Sequence, residues 1–127
     1  MRRALATLLV CLVAGAAAAQ SLPETDYILQ CRGCHGPEGA GVPGHVPSLA
    51  GIAGLLATPA GRARLLAVPG VRQSSLSDAR LAALLGWAGL RFAPAGATPA
   101  FRPLTADEVA RLRAPAAAQR GTRQTLR

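Results

Sequence analysis

The spacing of apolar residues changes along the chain, and each change predicts an element. Ala4 to Ala16 is an apolar stretch free of charge, behind Met1-Arg2-Arg3 and ahead of Ala17-Ala18-Ala19. Such a run is shorter than the roughly 20 residues of a membrane-spanning helix, and its flanks are those of a cleaved export signal over residues 1–19. Cys11 lies inside the run and would leave with it. Ser21-Leu22-Pro23-Glu24 has the form of a helix start, and Tyr27, Ile28 and Cys31 then fall on one helical face. From Gly33 to Gly44 the glycines and prolines predict turns in place of regular structure. Leu49, Ile52, Leu55 and Leu56 predict a short apolar helix stopped by Pro59, and Thr58-Pro59 caps another that carries Leu65 and Leu66 to an end near Pro69-Gly70.

The clearest periodicity starts at Ser77-Asp78, where a capping serine and an acid at the positive end of the dipole precede Leu81, Leu84, Leu85 and Ala88, with Trp87 beside that stripe. Pro94 to Pro103 reads as a linker. Thr105-Ala106-Asp107-Glu108 is a further capping box, opening a brief helix with Val109 and Leu112 that Arg113-Ala114-Pro115 closes. Ala116 to Arg127 has no apolar rhythm and predicts a disordered tail. Every predicted element is a helix, so an all-α domain is expected.

Composition narrows the partners. All 14 basic residues are arginine, against 6 acids, for a net charge of +8. Two of those arginines belong to the export signal. Dispersed arginines with few aromatics argue against nucleic-acid binding. They fit a solvated basic surface, with docking of acidic partners as the alternative. A chain of 127 residues buries a modest fraction of its surface, so a bound group would supply much of its core.

The chemistry-bearing stretch is Cys31-Arg32-Gly33-Cys34-His35-Gly36. Two cysteines three positions apart can each form a thioether to one vinyl group of haem, and the histidine that follows can turn its imidazole onto the iron. A dithiol redox pair, a zinc site completed by His45 and a short-ring disulfide are the alternatives. The first wants a thioredoxin-like alternation of strands and helices, the second a different histidine spacing, and the third stabilises little.

The chain here resembles the class I c-type cytochromes, over residues 24–92. Tyr27 resembles the aromatic on that family's N-terminal helix, "CHGPEGAGVPGHVPSLAG" its haem-binding loop, and "LSDARLAALLGW" its C-terminal helix, with Trp87 at the aromatic position. The resemblance implies a small helical domain, residues 20–93, wrapped around one covalently bound haem c with Cys31 and Cys34 as thioether residues. It implies His35 as axial ligand to the haem iron, Pro47 lending its carbonyl to the His35 ring N–H, and Tyr27 and Trp87 packing near the haem. Residues 94–127 would form a C-terminal extension with one short helix and the tail.

Family members usually place a methionine on the other face of the iron, in the loop before the last helix. The only methionine here is Met1, and the corresponding stretch runs from Pro69 to Ser75. Gln73 and His45 are the remaining candidates for the sixth ligand. An amide oxygen is a weak donor to ferrous haem, and His45 stands two residues from Pro47, on the side that the resemblance gives to His35. An open position is the leading expectation, and loss of the thioether should lower the reduction potential.

The resemblance thus implies a periplasmic or secreted single-electron carrier and not an enzyme. Its partners would be redox proteins such as a periplasmic dehydrogenase or a terminal acceptor, and the mature chain would have no membrane span. A ligand-binding or catalytic haem protein is the first alternative. A haem subunit fixed in a larger dehydrogenase complex, with residues 94–127 as docking arm, is the second.

Overall fold

The computed structural model describes residues 22–114. The expected export signal, the capping Ser21 and the tail from Ala116 on lie outside these residues. Among the described residues the chain is mostly helical and holds no β-strand, in agreement with an all-α fold; one isolated bridge joins Val42 and Val46. No helix among them is long and apolar enough to cross a membrane.

Helix α1 spans Leu22–Gln30 and is followed at once by a single turn, α2, Arg32–His35. A 3₁₀ turn at Leu49–Gly51 leads into α3, Ile52–Leu56; then come α4, Pro59–Ala67, and α5, Pro69–Arg72. The longest helix is α6, Asp78–Arg91, and α7 is Ala106–Arg113.

Local chemistry explains most of the starts. Ser77 Oγ accepts from the Arg80 N–H at 3.3 Å, Thr58 Oγ1 from Gly61 at 3.0 Å, and Thr105 Oγ1 from Glu108 at 3.2 Å. Each hydroxyl satisfies one of the donors that a helix N-terminus leaves unpaired. Two expected loops contain helical turns instead. Gly33 lies within α2, since glycine weakens a helix by only about 1 kcal/mol relative to alanine. Pro69 opens α5, because proline at the first helical position surrenders no intrahelical bond.

Helix α6 is the axis of the packing, touched by α1, the 3₁₀ turn, α3 and α7. Its stripe of Leu81, Leu84, Leu85 and Ala88 is buried and continues into Phe92. Leu56 and Leu66 complete the centre with no exposed surface. The inner face of α1 differs from the expected one: Tyr27 is buried, but Ile28 is 47% exposed, and Asp26 takes the inner position. Burial of that carboxylate is tolerable because Arg80 of α6 holds both its oxygens, Nε to Oδ2 at 3.1 Å and Nη2 to Oδ1.

The segment after residue 94 folds back onto the domain. Leu104 and Val109 belong to the same core as Leu81 and Leu66. Arg62 of α4, 2% exposed, is the polar lock. Its Nε donates to the Leu56 carbonyl at 2.7 Å, Nη1 to Glu108 Oε2 at 2.9 Å, and Nη2 to the Arg102 carbonyl. Arg102 grips both oxygens of Glu108 from the other side, at 2.8 and 3.0 Å.

Candidate functional site

Cys31, Cys34 and His35 are gathered on one helical turn. The Cys31 N–H continues α1 by donating to the Tyr27 carbonyl at 2.9 Å, while the N–H groups of Cys34 and His35 both turn back to the Cys31 carbonyl, at 3.2 and 3.0 Å. Both cysteines are free thiols. Cys34 is exposed; Cys31 is half-buried against the apolar core. Burial pushes the Cys31 thiol above its ordinary range, and the carboxylate of Asp26 and then Cys34 push it further.

The loop after the motif doubles back to His35. His35 Nδ1 lies 3.0 Å from the Pro47 carbonyl oxygen. A carbonyl can only accept, so Nδ1 carries a proton, and in the neutral ring the Nε2 lone pair is left for a ligand. The Gly41 N–H donates to the His35 carbonyl at 2.9 Å, and the Val42 N–H to Val46 at 2.9 Å. Gly41 has φ +69, and a Cβ there would meet the Val46 carbonyl and stand 2.7 Å from that of Pro47. The backbone can reach His35 along this path only with glycine at 41.

An aromatic triangle backs the motif. Ring centroids are 5.5 Å apart for Tyr27 and Trp87, 4.9 Å for Tyr27 and Phe92, and 5.7 Å for Trp87 and Phe92. Tyr27 OH donates to the Gly36 carbonyl at 2.6 Å, tying α1 to the end of α2. Burial raises the phenol above its ordinary range, with Cys31 adding to the shift, so it remains a donor. Gly39 lets the loop lie on this triangle, since a Cβ there would come within 2.8 Å of the Phe92 ring. Phe92 was not singled out among the site residues, although it extends the stripe of α6 by one more turn beyond Ala88.

The other candidates lie elsewhere. His45 is exposed, sits in the turn bridged by Val42 and Val46, and shares with Pro47 the lining of an open cavity of about 440 Å³ that includes neither cysteine. Gln73 is exposed at the end of α5, its N–H given to the Pro69 carbonyl at 2.9 Å.

The donor set fits a haem: two thiols on one turn, an imidazole held in the tautomer that frees Nε2, and the partly buried apolar residues Leu49, Leu55 and Val71 on the same core as Cys31. Among the described residues, no three His, Cys, Asp or Glu side chains are grouped as a metal cage, the arrangement a zinc site calls for. Compared with protein-family models, with curated proteins and with solved structures, the chain finds no match in any of the three.

Proposed function

We propose that the protein is an exported monohaem c-type cytochrome that carries single electrons between redox proteins. The observation that carries this reading is the His35–Pro47 hydrogen bond, formed beside a turn that also bears both cysteines. Cys31 and Cys34 would hold haem c through two thioethers, and His35 would bind its iron through Nε2. The haem, when bound, supplies a ferric–ferrous one-electron couple. The chain does the rest. Pro47 orients the imidazole and raises its basicity by accepting from Nδ1, and Tyr27, Trp87 and Phe92 back the turn with a rigid apolar wall.

Acid–acetone extraction tests the reading. Haem should stay with the protein, and the chain should gain one haem's mass; haem that extracts freely ends it. A second reading, a haem protein that binds a small ligand on the open face, is favoured by one feature of the sequence: no methionine follows Met1. Absorption and electron paramagnetic resonance spectra in both oxidation states separate the two, since low-spin iron throughout would exclude an open face.

A further inference from the structure

Arg113 ends α7, and its guanidinium is committed to a connection 35 to 41 residues earlier in the chain. Nε donates to the Arg72 carbonyl at 3.3 Å and Nη2 to the Ser74 carbonyl at 2.6 Å; Nη1 donates to the Leu76 carbonyl at 3.2 Å and to Asp78 Oδ1 at 2.9 Å. Arg72 returns a bond from Nη2 to the Ala114 carbonyl at 3.3 Å. Three carbonyls at alternate positions of one short connection therefore meet a single planar cation. A guanidinium suits this role because its donors form a fixed fork.

Beyond Gln73, whose N–H gives to the Pro69 carbonyl at 2.9 Å, the connection's own bonds are long: Ser74 N–H to the Val71 carbonyl and Leu76 N–H to Ser74 Oγ, both at 3.3 Å. Its shape is set largely from α7, which is in turn fixed by fully buried Val109 and by the Arg62–Glu108–Arg102 lock. At the two ends of the connection, Val71 packs against the core that also carries Cys31 and Leu49, and Leu76 is part of that core.

We propose that Arg113 is a positioning residue: by fixing the backbone from Arg72 to Leu76, and Gln73 with it, it sets access to the iron face opposite His35. The proposal rests on the cytochrome reading above, in which the stretch from Pro69 to Ser75 stands on that face. Clamped carbonyls keep the connection closed; released, it opens by local fluctuation and admits small ligands faster.

The test uses the full-length holoprotein and two variants, Arg113→Gln and Arg113→Lys. Lysine keeps a charge for Asp78, but a point donor cannot span three carbonyls. Haem content is measured first, then hydrogen exchange of the Ser74 and Leu76 amides, then carbon monoxide association after flash photolysis. Both variants should retain full haem, exchange those amides at least about tenfold faster, and bind carbon monoxide at least about fivefold faster. Unchanged exchange, or faster exchange with unchanged carbon monoxide kinetics, in a fully haem-loaded protein overturns the proposal alone. A wild-type chain without covalent haem removes the cytochrome reading, and the proposal falls with it.

Discussion

His35 and Pro47, twelve residues apart, are joined by a hydrogen bond from Nδ1 to the carbonyl oxygen at 3.0 Å. The bond fixes both the tautomer and the orientation of the ring, so the Nε2 lone pair is committed before any ligand arrives. It depends on a backbone path that doubles back through Gly41.

Gly41→Ala tests that dependence. The methyl group would meet the Val46 carbonyl and crowd that of Pro47, at a φ that alanine resists. The variant should lose about 2 kcal/mol or more of unfolding free energy in a denaturant titration. In the haem-loaded protein its reduction potential should rise, because a less basic imidazole favours the ferric state less. An unchanged potential would mean that the Pro47 contact does not tune the site.

Tyr27→Phe removes one hydroxyl and leaves the ring. The Gly36 carbonyl loses its partner at 2.6 Å, and stability should fall by about 1 kcal/mol. Tyr27→Leu should cost about 2 kcal/mol more, since it also breaks the contacts with Trp87 and Phe92. Thermal melts of the two variants separate the bond from the ring.

Acid should open the lock on α7. The Arg102 hydrogen bond, with Arg62 adding to it, holds the Glu108 carboxyl below its ordinary value of 4.5, against the opposing effect of burial. The unfolded chain therefore takes up this proton first as pH falls. The contribution to stability is complete above 4.5 and is lost as pH drops through the depressed folded value. Glu108→Gln should flatten the acid limb of stability against pH. Glu108→Ala, which leaves Arg62 buried without a counter-charge, should cost about 3 kcal/mol at neutral pH.

Spectra of the haem-loaded protein should show no sulfur-to-iron charge-transfer band, as no methionine follows Met1. The ferrous form should bind carbon monoxide readily. His45→Ala should leave the spin state alone, because His45 sits in the turn that leads to Pro47 and shares a cavity lining with it. A ferric protein that is low-spin and turns high-spin only on loss of His45 would overturn this assignment.

What could be read from the sequence was what acts over a few residues. Ser77, Thr58 and Thr105 cap helices through bonds to residues three positions on, so their signals stand in the local pattern. The stripe of α6 was legible for the same reason. Asp26 was not, since its burial needs Arg80, 54 residues away, and an isolated carboxylate gives no sign of its counter-ion. Ile28 shares the spacing of that face, but with Asp26 and Tyr27 turned inward it is left 47% exposed. The turn at α5 was hidden by Pro69-Gly70, which marks a break unless the proline happens to open the next turn. His35 and its cysteines were legible as a motif, whereas the brace from Arg113 joins parts of the chain that no local pattern relates.

The pairing of Asp26 with Arg80 has a consequence for how the chain folds. A polypeptide that emerges N-terminus first presents Tyr27 and Asp26 early, but the surface that buries them is α6, which comes more than 50 positions later. Until then a short helix has neither a hydrophobic partner nor a counter-ion, and by itself it is marginal in water. The motif turn hangs from that helix, so its native geometry waits on the pairing of α1 with α6 across that span of chain.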